Sequence, residues 1–173
     1  MVNTREVNEA GLEKNFATNT LGTYILTTRL LPLLAKDLYV QYSIRRFHHS
    51  FLHSLLILCS MTSVVMTEQW AAQHPEVHFS VMHPGWADTP AVRTSMPEFH
   101  AKMKDRLRTP EQGADTAVWL TLSSAALQQP SGLFFQDRQA VATHLPLACT
   151  RSDAKDGQQL MATLEELAQK HQA

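Results

Sequence analysis

Between residues 8 and 31, Leu12, Phe16, Asn19, Thr23, Leu26 and Leu30 recur at steps of four and three. That spacing predicts one helix with these six residues on a single face. Asn8 is placed to cap the helix, Glu9 suits the positive end of its dipole, and Pro32 is expected to end or kink it. The period changes at Val77-His78-Phe79-Ser80-Val81-Met82, a partly alternating apolar run that predicts a short strand. Phe99, Met103 and Leu107 share one side of a short helix expected over 97–107. Thr109-Pro110-Glu111-Gln112 then spells a capping box with proline at the first helical position. Ala114, Val118, Thr121 and Leu122 are the expected core side of the helix it opens. Ser131-Gly132-Leu133-Phe134-Phe135 reads as a turn into another strand, and Gln136-Asp137-Arg138 as a polar loop. From Ser152 or Asp153 an amphipathic helix runs through Leu160, Leu164 and Leu167 to the end, approached by a flexible stretch over 150–157.

One stretch resists this treatment. Ile44, Phe47, Phe51, Leu55 and Leu58 suggest an amphipathic helix, whereas Leu55-Leu56-Ile57-Leu58 alone reads equally well as a strand. No strand is expected between Pro32 and Tyr42.

At 173 residues and 44% hydrophobic content the chain can build a real core. The formal net charge of -1 leaves no electrostatic case for nucleic acid or anionic lipid. Cys59 and Cys149 stand far apart with no Cys-x-x-Cys pair, which fits a reducing, intracellular and so cytoplasmic compartment. The most membrane-like run, residues 51–66, is too short and too often interrupted by polar residues to span a bilayer, which leaves association with a membrane through it as an alternative to catalysis or to pairing with a relative. The polar first six residues are not a secretory signal. His49 and His53 are four apart, but no nearby carboxylate or cysteine completes a metal-ligand set, and no metal is expected.

Two places carry candidate chemistry. Asn19 is a polar amide within an apolar stripe, and a buried amide without a partner costs about 1–3 kcal/mol. Either a neighbouring group bonds it, or it serves a site. Pro84-Gly85 closes the strand that ends near Met82. Proline cannot continue the ladder, and glycine lets a ligand meet bare backbone. In an open α/β sheet, ligands bind at the carboxyl ends of strands, although Pro-Gly is also a common turn.

The longer pattern around these residues resembles the short-chain dehydrogenase/reductase family. Asn15-Phe16-Ala17-Thr18-Asn19-Thr20-Leu21-Gly22-Thr23-Tyr24 is similar to the family's central helix, Pro84-Gly85-Trp86-Ala87-Asp88-Thr89 to its Pro-Gly-x-x-x-Thr segment, and Gly132-Leu133-Phe134-Phe135 to the entry into its seventh strand. The likeness covers about 2–34 and 64–148. It implies NAD(P)(H)-dependent interconversion of carbonyls and alcohols. It also implies that Asn19 matches the asparagine of the catalytic tetrad, that backbone near Ala87 meets the nicotinamide carboxamide, and that the Thr89 hydroxyl meets the cofactor. Pro84, Gly85, Ala87 and Thr89 are thus the candidate cofactor residues.

The same resemblance exposes departures. The family delivers a serine on a strand and then Tyr-x-x-x-Lys on a helix. There lysine, one turn after tyrosine, lowers the phenol's pKa for proton transfer. Residues 37–63 replace that segment. The nearest imitation, Tyr42-Ser43-Ile44-Arg45-Arg46, ends in an arginine, a poor proton relay. An alternative or misassigned exon, or drift in a non-enzymatic relative, would each produce such a replacement. No Gly-x-x-x-Gly-x-Gly phosphate cradle occurs among the six glycines, as if the chain began partway through the fold.

The expected fold class is therefore α/β, a partial Rossmann-like arrangement, helix-rich with few parallel strands, over 1–150, followed by a C-terminal helix over 151–173. The sixth and seventh strands are expected and the first five are not. Apolar surface left uncovered would favour a homo- or hetero-oligomer with a family relative. On these residues the chain is expected not to catalyse hydride transfer.

Overall fold

Glu13 sets the first helix. Its carboxylate accepts from the Phe16 N–H at 2.7 Å and caps α1 (Lys14–Phe16). Asn8 caps something else. Its Oδ1 accepts from the Ala10 and Leu12 amides at 3.1 and 2.9 Å, in a turn ahead of the helix that Gly11 closes at φ +76°. From α1 the chain passes through a π-helical turn (Ala17–Leu21) into α2 (Gly22–Leu34), whose last turn contains Pro32 without being broken by it. The computed structural model describes residues 5–35, 41–45, 54–144, 147 and 151–171, with the backbone course alone for 41–45 and 54–60.

The π turn corrects the expected stripe. It adds one residue to the turn, so each later side chain sits about 100° out of the phase that a continuous α-helix would keep. Phe16 packs on the core, the π turn then buries two adjacent residues, Thr20 and Leu21, and the buried side continues through Tyr24 and Thr27. Asn19 and Leu26, expected on the core face, are exposed, and Leu33 is exposed beside them.

Next come β1 (Gln41–Arg45), α3 (Ser54–Gln73) and β2 (His78–His83). β1 overturns the expectation of a chain without that strand, and of a helix through Ile44. Tyr42, Ser43, Ile44 and Arg45 alternate with period two, and their backbone pairs parallel with β2, Ser43 opposite Ser80. Phe47, Phe51 and the histidines 48, 49 and 53 lie outside the described residues.

After β2 the chain forms α4 (Pro90–Ser95), α5 (Pro97–Met103), a 3₁₀ turn (Lys104–Arg106), α6 (Pro110–Leu122) and α7 (Ser124–Leu127). Leu107, expected on the helix with Phe99 and Met103, lies beyond it in extended backbone. The Thr109 capping box is present in both directions. The core side of α6, however, is Gly113, Thr116, Ala117 and Leu120, while Val118 and Leu122 point outward. Gly113 explains the choice: a Cβ there would lie 2.9 Å from the Ala87 Cβ, so a bare helix surface is what fits against that loop.

β3 (Leu133–Gln136) pairs parallel with β2, and a two-residue turn leads to β4 (Gln139–Ala140), antiparallel to β3. The expected polar loop is thus a hairpin tip. α8 (Ala154–Lys170) starts at the Asp153 capping box, so 154–157 is helix rather than a flexible approach.

Among the described residues the sheet order is β1-β2-β3-β4. Alternation along β2 sends Phe79 and Val81 to one face, where they pack with Leu21, Tyr24, Met66, Trp70 and Leu164. Met82 and Phe135 face the other way, against Ala117, Leu120 and Ala126. Helices thus cover both faces of a mostly parallel sheet, the α/β arrangement the sequence implied. Among the described residues no helix is long and apolar enough to cross a membrane.

Candidate functional site

The carboxyl end of β2 runs into Pro84-Gly85, where Gly85 takes φ +71°. Its N–H donates to Nδ1 of His83 at 3.0 Å, which puts the neutral imidazole's own proton on Nε2. A Cβ on Gly85 would lie 2.8 Å from the guanidinium carbon of Arg108. The positive φ therefore favours glycine for the fold's own sake, and the side expected to be open to a ligand is taken by Arg108.

Arg108 also fixes the next residues. Its N–H donates to Trp86 O at 2.8 Å, and its carbonyl accepts from the Asp88 N–H at 2.8 Å. In this parallel bridge Ala87 stands opposite Arg108. The bonds use the peptide groups on either side of Ala87, so its own N–H and C=O turn the other way. They have no partner among the described residues, although Ala87 is only 9% exposed. One unpaired donor and one unpaired acceptor thus sit on the same residue, Ala87.

Thr89 caps α4. Its Oγ1 accepts from the Val92 N–H at 3.3 Å, which leaves the hydroxyl hydrogen available to donate. Asp88 accepts from Arg93 at 2.7 and 2.8 Å and lies 3.0 Å from Nε2 of His100. The Arg93 hydrogen bond, ahead of the His100 contribution, holds the Asp88 carboxyl below its ordinary range. Trp86 packs on Phe99 of α5 with ring centroids 4.7 Å apart, tying the turn to the segment that follows.

Two curated relatives bear on the family of the whole chain. The human protein named Dehydrogenase/reductase SDR family member 12 is 51% identical over 186 residues, covering 98% of this chain and 59% of its own length. The bovine protein of the same name is 49% identical over 187 residues, with the same coverage. The chain is a relative of the short-chain dehydrogenase/reductases. No family model matches it. It spans about three-fifths of the length of these curated relatives.

The nicotinamide cofactor that this family implies fits the turn of this short-chain dehydrogenase/reductase relative on one observation. A carboxamide presents a carbonyl and an amine, and the unpaired N–H and C=O of Ala87 are the complementary pair. Pro84, Gly85, Ala87 and Thr89 come together simply by being contiguous. Asn19 does not join them: it is exposed, its π-helical turn packs towards α3 and α8, and none of its hydrogen bonds reaches the Pro-Gly turn. The buried amide of this segment is instead Asn15, which donates to Glu13 at 2.9 Å.

Two further elements bear on catalysis. β1 carries Ser43, but at the register of Ser80, three residues before the end of β2, rather than at a strand's carboxyl end. α3 fills the place between β1 and β2 and contains neither tyrosine nor lysine. Tyr42 lies on a strand, so a residue four further on is not one helical turn away. Arg108 and Asp137, which frame the turn, escaped sequence reasoning. The available signal was the pair of non-glycine residues, Asp137 and Arg138, at a hairpin tip.

Proposed function

We propose that this chain is an oxidoreductase-type protein of the short-chain dehydrogenase/reductase kind whose Pro84–Thr89 turn takes the nicotinamide end of NAD(P)(H), and that the chain does not itself transfer hydride. The unpaired Ala87 N–H and C=O carry the binding half of this reading. With the Thr89 hydroxyl they offer the carboxamide an oriented seat at the carboxyl end of β2. When bound, the cofactor supplies the hydride chemistry. The residues of this chain would orient the ring.

The catalytic half rests on α3. Proton transfer to a carbonyl oxygen asks for an acid of suitable pKa within hydrogen-bond reach. The helix that should present tyrosine and lysine has neither. The carboxyls that frame the turn are Asp88, held by Arg93 and His100, and Asp137, held by Arg108. Both carboxyls lie below their ordinary range, so neither is an acid at neutral pH.

The test is a thermal-shift titration of the chain with NADH and with NADPH, beside an assay of NAD(P)H oxidation with an aldehyde and a ketone. A ligand that binds the native state raises the midpoint by mass action. Without a glycine-rich phosphate cradle within these 173 residues, a rise is expected only at about millimolar cofactor. Oxidation should not exceed the no-protein rate. A midpoint indifferent to both cofactors removes the binding half, and turnover removes the catalytic half.

A further inference from the structure

The tip of the β3–β4 hairpin is built against local preference. Asp137 and Arg138 adopt φ +52° and +61°. Tight two-residue turns of this conformation ordinarily use glycine, asparagine or aspartate at the first position and glycine at the second, so Arg138 is the residue out of place, although a Cβ is strained at both. Both residues are instead side chains at work. Asp137 receives both terminal nitrogens of Arg108, one of them at 2.9 Å. Arg138 donates to both carboxylate oxygens of Asp115 on α6, one at 2.7 Å, and its N–H donates to Thr116 at 3.2 Å.

The first of these pairs leads directly to the turn. Held by Asp137, the Arg108 guanidinium lies where a Gly85 side chain would be and donates to Pro84 O at 3.4 Å. The Arg108 backbone grips Trp86 and Asp88, and that grip is what turns the Ala87 N–H and C=O away from Arg108. We propose that Asp137 is a positioning residue for the nicotinamide turn, acting through Arg108. It keeps Ala87 and Thr89 in the geometry that a carboxamide needs. This inference rests on the reading of the turn as a nicotinamide subsite.

Asp137→Gly separates positioning from stability, since it removes a strained Cβ and a carboxylate in one change. A residue that only holds the fold together would lower the melting midpoint when lost. A positioning residue replaced by glycine should leave the midpoint level or raised, while the turn loosens. The measurement is amide hydrogen exchange of the full chain, wild type against Asp137→Gly and Asp137→Asn, each with and without NADPH. Loss of two charge-assisted bonds should speed exchange at the Asp88 and Arg108 amides by about tenfold or more in Asp137→Gly, and by less in Asp137→Asn. The amides of β2 should not change. NADPH should protect the wild-type turn more than either variant.

Unchanged exchange in both variants overturns the proposal, as does a midpoint that falls together with the faster exchange. Equal protection by NADPH in wild type and Asp137→Gly also overturns it. Absence of protection in the wild type removes the nicotinamide reading instead. Asp137 would then be a latch whose existence the cofactor-free exchange rates still decide.

Discussion

Gly113 and Gly157 each occupy the fourth position of a helix that opens on a capping box, yet the same change to alanine should act on them with opposite sign. Alanine stabilises a helical glycine site by about 0.4–1 kcal/mol, largely by restricting the unfolded chain. What differs is the neighbour. At Gly157 the new Cβ would lie 2.8 Å from Nε2 and 3.2 Å from Cδ of Gln69, and 3.5 Å from Val65. The close atoms are the far end of a flexible side chain, which can swing aside. At Gly113 the new Cβ would lie 2.9 Å from the Cβ of Ala87. That atom is fixed to the backbone of a loop bridged to Arg108 on its other side.

Carbon atoms rest at about 3.5–4.0 Å, so α6 and the loop would have to part by roughly 0.6–1 Å. Overpacking of this kind costs about 1–3 kcal/mol. Set against the helical gain, Gly113→Ala should lose about 1–2 kcal/mol, and Gly157→Ala should gain up to about 1 kcal/mol. For a chain of this size each kcal/mol moves the thermal midpoint by about 2–4 °C. Urea unfolding followed by circular dichroism, with midpoints compared at a common slope, measures both. Gly113→Ala should also blunt any response to NADPH, because the displaced residue is Ala87. Midpoints that move in the same direction would refute the reasoning that the neighbour, rather than the helix, decides.

Two titrations give further checks. Tyr24 is buried, stacks on Trp70 at 5.8 Å and donates its hydroxyl to Glu165 of α8 at 2.8 Å. Burial first, and then the Glu165 carboxylate, push its phenol well above the usual tyrosine range. Its protonated form is therefore favoured by folding, and that contribution is complete below the unfolded value of about 10 and lost as pH rises beyond it. Absorbance titration should show a component that ionises only with unfolding and disappears in Tyr24→Phe, a variant that costs about 0.5–1.5 kcal/mol through the lost hydrogen bond. A Tyr24→Phe curve with the late component intact would count against this. His78 behaves in the opposite sense, because burial lowers its pKa and its Nε2 has no partner among the described residues. The unfolded chain then binds the proton more readily, so stability should fall as pH drops through about 6.5. His78→Leu should flatten the difference in urea midpoint between pH 7 and pH 5. An equal difference in both proteins would exclude the histidine as its source.

The places where sequence reasoning succeeded and failed share a physical cause. Capping boxes at Thr109 and Asp153 were legible because their logic is local: a side chain three residues from a backbone group either reaches it or does not. The Pro84–Thr89 turn was legible for the same reason. The faces of α2 and α6 were not, because each depends on something that periodicity does not encode. On α2 one extra residue in the turn between Phe16 and Leu21 moved the core to Tyr24 and Thr27, and left Asn19 and Leu26 outside. On α6 the buried side was set by a glycine that has no hydrophobicity to count. β1 was missed because an alternating run of four residues beside longer apolar ones looks like the edge of a helix until a partner strand is placed next to it.

Gly85 shows the limit most plainly. A Pro-Gly turn in this family pattern invites the inference that glycine is there for the ligand. The structure supplies a nearer reason, since positive φ strains any side chain there and the Arg108 guanidinium, held by Asp137, occupies its place whether or not a cofactor ever binds. The case for a nicotinamide seat therefore cannot rest on Gly85, and moves to Ala87, a residue with no chemical signature in the sequence at all. What qualifies Ala87 is that its two neighbours are engaged by Arg108 while its own N–H and C=O are not. A backbone left unpaired in so covered a position would ordinarily be a cost of about 1–3 kcal/mol, and a ligand that satisfies both groups recovers it. That recovery is the physical content of the proposed site. It is also why loosening Arg108 should weaken cofactor binding before it weakens the fold.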